Sequence, residues 1–287
     1  KRILIILILL IPTLQAFAQN YVPFTPRFDQ DLKGDIVLIG NNILGPDNNP
    51  FNNDNVYNHN VDMQYINIDG DASTFSSSSA DLEIPNPDCY VIRYAGLYWG
   101  AVTDGDEPIR EVKFKGPTGA YNDITGTLIF EANGTSVDGG NSFPYACFAD
   151  VTSIVSAFAG NDLGTYTVAN VSSALGETST FNPYNGTGYS SGWSLFVVYE
   201  DPTLPGKSIT SFDGFSAISL ANNANVDVPV SGFRTVPAPA PVRANFAFAA
   251  LEGDKPILGD RLKINGTDLS TLDRQASNFF NSSVTQL

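Results

Sequence analysis

The sequence predicts an all-β protein, built as a large two-sheet β-sandwich of jelly-roll type with one short helix. Its 287 residues include 25 Gly, 18 Pro, 19 Phe and 12 Tyr but one Met, a composition typical of short strands and tight turns. From residue 61 onward, short apolar segments alternate with turn residues at the spacing of a sandwich. Hydrophobic residues make up 43% of the chain and charged residues 16%, which is enough apolar material for a sizeable core.

The amino terminus predicts a signal peptide over residues 1–18. Lys1 and Arg2 precede the apolar run Ile3–Ile11, and Ala16 and Ala18 supply the small residues that a signal peptidase recognises. The run is short for a membrane span, although an uncleaved anchor is the alternative. We therefore expect an extracellular mature chain that starts at Gln19 and has no transmembrane segment.

Residues 19–60 are predicted as an amino-terminal segment, followed by the β-sandwich over 61–287. We expect 19–287 to form one domain, with two smaller β domains as the alternative. Ile36–Ile39 is a strand candidate. Residues 41–60 carry nine Asn, two Asp and two Pro, which predicts a surface loop, or alternatively a loop that binds a ligand or ion.

The remaining elements follow from apolar periodicity. Asp150 is a candidate N-cap for a helix ending near Gly160, with apolar residues spaced to face the core. Asn225–Val230 is predicted as an edge strand and Ala244–Leu251 as a core strand, because both alternate apolar and small or polar residues. The other predicted strands are Val61–Ile68, Cys89–Ala101, Glu111–Lys115, Thr127–Ala132, Thr165–Val171 and Gly192–Glu200.

The charge balance excludes the basic surface of a nucleic-acid-binding protein. There are 15 Lys and Arg against 30 Asp and Glu, which gives a formal net charge of −15 and a pI of about 4.2. Loss of Lys1 and Arg2 with the signal peptide would make this charge −17. A disulfide between Cys89 and Cys147 is predicted from export, and two buried thiols are the alternative.

The sequence does not favour an enzyme. Residues Gly188–Gly192 match the G-x-S-x-G pattern of hydrolases, but a strand rather than a helix follows, and His59 lies far upstream. We interpret the motif as a turn that enters the next strand. No other catalytic constellation stands out.

Two kinds of binding residue are candidates. Asp69 and Asp71 flank Gly70, and Glu252 and Asp254 form a second acidic pair, which indicates possible calcium ligands, with solvated turns as the alternative. Tyr184, Tyr189 and Trp193 could form a platform that stacks on sugars. Trp99 and Trp193 lie in strongly apolar segments, however, which favours the core for both.

Five segments together carry a family resemblance: residues 24–44, 73–81, 94–101, 192–201 and 278–283, of which LYWG (97–100) and GWSLFVVYED (192–201) are the most specific. The chain resembles the amino-terminal region of very large cell-surface proteins of Bacteroidetes, which are similar to gliding-motility adhesins of the SprB type. Such proteins continue into repeats and a sorting domain read by the type IX secretion system. The resemblance implies that this sequence is part of a longer protein.

Together these observations predict a non-enzymatic, extracellular domain of a cell-surface adhesin that attaches to glycans or to solid surfaces. The alternative is an assembly module that docks onto other cell-surface proteins, such as filament, secretion or motility components. An accessory domain of a glycan-degrading enzyme is a weaker third hypothesis.

Overall fold

The computed structural model describes residues 21–49, 57–85, 87, 89–105, 108–132, 143–158, 160–177, 188–218, 225–251 and 253–285; the predicted signal peptide lies outside them. The predicted all-β sandwich with a short α-helix is confirmed. A 3-10 turn spans Asn58–Asn60, and the helix α1 is Thr152–Ala157. The strands are β1 Tyr21–Asn42, β2 Leu44–Gly45, β3 Gln64–Tyr65, β4 Ser77–Leu82, β5 Val91–Thr103, β6 Glu111–Lys115, β7 Asn122–Thr125, β8 Thr127–Glu131, β9 Phe143–Asp150, β10 Gly164–Ala169, β11 Ser191–Glu200, β12 Gly206–Ser216, β13 Lys263–Ile264 and β14 Thr267–Asp268.

Two antiparallel sheets make up the sandwich. The large sheet has the strand order β12-β1-β11-β5-β9-β8, and the small sheet has the order β4-β10-β6-β7. The strands β2 and β3 pair with each other, as do β13 and β14. The central strands β5 and β11 are buried over most of their length, and the apolar residues on both faces of Gly192–Glu200 favour this central position for β11.

The main core lies between the two sheets. Trp99 and Trp193 from the large sheet pack in one apolar cluster with Phe114 and Tyr166 from the small sheet, which confirms the predicted core position of both tryptophans. Val155 of α1 belongs to the same cluster. Burial of each large side chain contributes about 1.5–3 kcal/mol, so this cluster is the main source of stability.

The strand β1 is long because it pairs with two different strands. Its second half, from Gly34, pairs with β11, and its first half, up to Lys33, pairs with β12. At the changeover a Cβ atom on Gly34 would lie 1.9 Å from the Tyr199 carbonyl oxygen, so the close approach of the two backbones requires glycine.

A second apolar cluster lies on the opposite face of the large sheet. Tyr94, Phe148, Phe196, Val198 and Ile209 are its buried members. Phe28 from the first half of β1 stacks on Tyr94 with ring centroids 4.8 Å apart.

The edge strands of the large sheet approach each other around this second cluster. Phe130 of β8 stacks on Phe215 of β12 with ring centroids 3.9 Å apart, although the two strands lie at opposite ends of the strand order. The large sheet therefore curls around the second cluster.

Gly126 forms the corner between the sheets. It is the single residue between β7 of the small sheet and β8 of the large sheet. Its amide donates to the Arg110 carbonyl oxygen (2.7 Å), and the Trp99 indole covers its Cα, because a Cβ there would lie 2.3 Å from Trp99 Cη2. A residue without a side chain therefore lets one continuous chain pass between the sheets.

Several predicted elements differ from the structure in extent. The predicted strand Ile36–Ile39 is part of the longer β1, and Val61–Ile68 is reduced to the short strand β3. The helix begins at Thr152, whose amide donates to the Asp150 side chain (2.9 Å), so Asp150 lies one position before the N-cap Val151. The predicted loop 41–60 begins inside β1, where Asn41 is buried, and its residues 50–56 lie outside the described part.

Two predicted strands are wrong. The segments 225–230 and 244–251 contain no strand, and most of their apolar side chains are exposed. Their alternation resembles that of a strand, but a strand forms only where a neighbour accepts its backbone hydrogen bonds, and the described part of the chain supplies no such neighbour here.

Candidate functional site

The predicted site at Asp69 is a closed hydrogen-bonded loop. The Asp69 carboxylate accepts the Asp71 amide (3.0 Å) and the Thr74 hydroxyl (2.9 Å) through Oδ1, and the Tyr121 hydroxyl through Oδ2. The Asp71 carboxylate accepts the Ser73 amide (2.8 Å). Tyr121 comes from the turn before β7, so this loop is fastened to the small sheet.

The electrostatics of this loop favour an ionised Asp69. Burial alone would raise the pKa of Asp69, but the hydrogen bonds from Tyr121, Asp71 and Thr74 outweigh burial and lower it. Burial and the Asp69 carboxylate raise the pKa of Tyr121. The carboxylate oxygens thus accept hydrogen bonds from protein donors. This arrangement is typical of a turn that is stabilised by its own hydrogen bonds rather than of a calcium-binding loop.

The second acidic pair lies elsewhere. Asp254 is buried and accepts the Asn58 amide (2.9 Å), and His59, also buried, interacts with its charge. Glu252 lies outside the described residues. Among the residues that are described, no group of three or more His, Cys, Asp or Glu is placed to hold a metal ion. The calcium hypothesis therefore stays a prediction.

The predicted disulfide is not formed, because both cysteines are free thiols. Cys147 is buried on β9 directly opposite Trp99 of β5, whereas Cys89 is exposed two residues before β5. A strand advances about 3.3 Å per residue, so the ten residues from Cys89 to Trp99 separate the thiols far beyond bonding distance.

The predicted aromatic loop is only partly described. Tyr184 lies outside the described residues, and Tyr189 is half-buried just before β11. Ser190 of the G-x-S-x-G pattern is buried at the entry to β11, as expected for a turn that leads into a strand. No exposed aromatic platform is formed by the described part of this loop.

The most unusual surface is the segment 225–251, which we call the apolar arm. Within the described residues its backbone makes one backbone hydrogen bond, from the Ala240 amide to the Pro237 carbonyl oxygen (3.1 Å). Eight of its large apolar side chains are between 40% and 57% exposed: Val228, Val230, Phe233, Val236, Val242, Phe246, Phe248 and Leu251. Soluble monomers rarely expose so many neighbouring apolar side chains.

The apolar arm is anchored to the sandwich at two places. Near its carboxyl end, Leu251 lies over Gly100 and Gly192, and Phe248 contacts Phe279 with ring centroids 5.3 Å apart. Near its middle, Arg234 binds the outer edge strand β12 and its neighbour β1. The sequence gives no signal for this second contact, because it joins residues that are distant along the chain.

A small cleft lies at the corner end of the sandwich. It has a volume of about 280 Å3 and is lined by Pro108, Ile109, Arg110, Glu111 and Glu131. Arg110 is partly fixed, because its Nε donates to the Gly126 carbonyl oxygen (3.0 Å). The accessible lining of the cleft is mostly apolar, and Arg110, Glu111 and Glu131 are its charged lining residues.

Comparison with known proteins leaves the chain without an assigned family, because no family model, no curated protein and no solved structure matches it. No helix in the described residues is long and apolar enough to cross a bilayer.

Proposed function

We propose that this chain is a non-enzymatic, extracellular interaction domain that docks onto a protein partner at the cell surface. The observation that carries the proposal is the apolar arm, whose exposed side chains lie beside β12, a strand that is unpaired on one edge within the described residues. The apolar arm favours the assembly module over direct attachment to a glycan.

Docking onto a partner would remove the apolar side chains of the arm from water. Covering an exposed apolar side chain contributes about 25 cal/mol for each Å2 removed from water. The arm also has backbone amides and carbonyls without backbone partners in the described residues, and these can pair with a strand of another protein. An apolar row with a free backbone fits a protein surface better than it fits a sugar.

The cell-surface location is supported by the sequence alone. The segment 1–18 has the features of a signal peptide, and the resemblance to Bacteroidetes surface proteins points to the same compartment. The strong acidic charge would keep such a domain soluble while its apolar arm is uncovered.

Binding of the full mature chain to envelope preparations of the producing organism tests the proposal. We expect the double substitution Val242→Ser and Phe246→Ser to weaken binding by about tenfold or more, because central apolar contacts dominate interfaces. Ile218→Ser with Leu258→Ser is the matched control, since these side chains are at least as exposed as those of Val242 and Phe246 but lie outside the arm. Equal binding of both variants and the unmodified chain would refute arm-mediated docking.

The nature of the partner is tested with the same preparation. Protease treatment of the envelope should abolish binding, whereas periodate, which cleaves vicinal diols of glycans, should leave it intact. The reverse result would favour the second candidate function, attachment to a glycan.

That second candidate rests on the cleft beside the Gly126 corner, which combines a mostly apolar lining with three charged residues. Glu111 and Glu131 can accept hydrogen bonds from sugar hydroxyls, and Arg110 can donate to them. If periodate abolishes binding, we expect Glu111→Gln with Glu131→Gln to weaken it as well. Unchanged binding by that variant would remove the cleft from consideration.

A further inference from the structure

One part of the apolar arm has the properties of a β-strand that has not yet paired. Residues 230–236, with the sequence VSGFRTV, contain no proline and are bounded by Pro229 and Pro237. Prolines cannot donate to a ladder and commonly mark the ends of edge strands. These seven residues are therefore the longest piece of the arm around Arg234 that can enter a sheet.

An open edge lies beside this piece. In the described part of the chain, β12 forms backbone pairs only with β1, so its other edge is unpaired. The end of β12 near Phe215 approaches β8 through the stack on Phe130. The accessible edge is thus the other end, Gly206–Phe212.

Contacts of Arg234 indicate the register in which residues 230–236 would align with β12. Asp31 of β1 and Ser208 of β12 are directly paired. The Arg234 amide donates to Ser208 Oγ (3.1 Å), and its guanidinium forms an ion pair with Asp31 (2.6 Å). Directly opposite residues of neighbouring strands share one face, so Asp31, Ser208 and Arg234 form the row expected of three adjacent strands.

The same register places apolar side chains favourably. If 230–236 runs antiparallel to β12 with Arg234 opposite Ser208, Phe233 lies opposite Ile209. Ile209 is a buried member of the second apolar cluster, whereas Phe233 is exposed. Pairing would therefore move Phe233 next to this cluster and leave Val230 and Val236 on the outer face with Arg234.

A single glycine keeps the piece from lying flat on β12. Gly232 has φ of 102°, which is outside the range of a β-strand. Glycine can move between this conformation and an extended one without steric cost, so Gly232 is suited to act as a hinge.

We propose that residues 230–236 form a strap that closes onto β12 as a seventh strand of the large sheet, in antiparallel register with Arg234 opposite Ser208 and with Gly232 as the hinge. Closure covers an otherwise open edge and sets the outward row of Val230, Arg234 and Val236. The strap goes beyond the docking function, because it forms within one chain and needs no partner.

Cysteine pairs in the full chain test the register, with exposed Cys89 replaced by Ser and buried Cys147 retained. Ser211→Cys with Ser231→Cys places thiols at directly opposite positions. Thr210→Cys with Ser231→Cys is the matched control, since residue 210 is the neighbour of 211 but points to the opposite face. We expect the first pair to form an intramolecular disulfide about tenfold faster than the control.

Gly232→Val adds a test of the hinge. A β-branched residue disfavours positive φ, so this substitution should increase the cross-linking rate of the Ser211→Cys, Ser231→Cys pair. Equal rates for the two pairs, a cross-link between two chains, or a slower rate with Gly232→Val would each overturn the strap.

Hydrogen exchange of the unmodified chain provides a measurement that does not depend on how the variants fold. Amides of residues 230–236 should exchange at least about tenfold more slowly than those of residues 242–248 in the same arm. Equal exchange in both stretches would overturn the strap. Both measurements are made without envelope material, so failure of the strap and failure of docking are separate results.

Discussion

Individual hydrogen bonds determine the structural roles of the buried polar side chains. The buried indole N–H of Trp193 donates to Ser78 Oγ (2.9 Å), across the space between the large and small sheets. Tyr145 on β9 similarly donates its hydroxyl to the Ser172 carbonyl oxygen (2.8 Å). Each such bond satisfies a donor that burial has removed from water, and the Trp193 bond joins the large sheet to the small sheet.

The Trp193 bond gives a direct prediction. Ser78→Ala removes the acceptor and leaves the indole N–H buried without a partner, which costs about 1–3 kcal/mol of unfolding free energy. Denaturant unfolding measures this loss. Ser270→Ala is a suitable control, because Ser270 is exposed; equal stability of the two variants would contradict the assigned role of Ser78.

The two cysteines give a second residue-scale prediction. Burial raises the pKa of Cys147 to about 12, so its thiol stays protonated and unreactive at neutral pH, whereas Cys89 is exposed. Titration with a thiol reagent should find one reactive thiol in the folded chain and two after unfolding in denaturant. Finding none in either state would restore the disulfide that the sequence suggests.

At the scale of elements, apolar runs explain how much of the fold could be predicted. Segments such as Gly192–Glu200 are apolar on both faces, and only a central strand satisfies that pattern, so the prediction was close to β11. The segment 244–251 has a similar local pattern but lacks a described neighbour. Periodicity reports what a segment prefers, and it does not report whether a partner strand is present.

The candidate surfaces could not be predicted for a related reason. Asp69 meets Tyr121 across 52 residues of chain, and Arg234 meets Asp31 across 203. These contacts depend on which strands lie side by side and in which register, and a local sequence pattern contains neither. The acidic pair at Asp69 can be recognised in the sequence, but the donors that hydrogen-bond to its carboxylates cannot.

The corner at Gly126 gives a prediction about an element. Gly126→Ala places a methyl group within the Trp99 ring, and neither the buried indole nor the chain crossing between sheets can move freely. Overpacking of this kind costs about 1–3 kcal/mol or more. Gly206→Ala is the matched control, since nothing lies within 4 Å of its Cβ position. Thermal unfolding should separate the two variants, and an equal midpoint would contradict the corner assignment.

At the scale of the whole molecule, two aspartates should influence acid stability in opposite directions. The folded-state pKa of Asp69 is lowered, so its ionised form stabilises the protein at neutral pH, and this contribution is lost as the pH falls through the folded pKa. The pKa of Asp254 is raised, first by burial, and the Asn58 amide and His59 only partly offset that effect. The ionised Asp254 therefore costs stability at neutral pH, and the cost disappears as the pH falls toward its unfolded value of about 3.9.

Asparagine substitutions separate these two effects. Asp254→Asn keeps an oxygen for the Asn58 amide without a buried charge, so we expect it to raise the unfolding midpoint at neutral pH and to leave it unchanged below about pH 4. Removal of the Asp254 charge should also lower the pKa of Asp260, which is raised by burial and by that charge.

Asp69→Asn should lower the unfolding midpoint at neutral pH, and its midpoint should converge with that of the unmodified chain in acid. Thermal unfolding across this pH range, repeated with calcium and with a chelator, measures both curves. If Asp254→Asn instead lowers the midpoint only when calcium is present, Asp254 binds the ion, and its burial beside Asn58 serves a metal site rather than the packing of the carboxyl-terminal region.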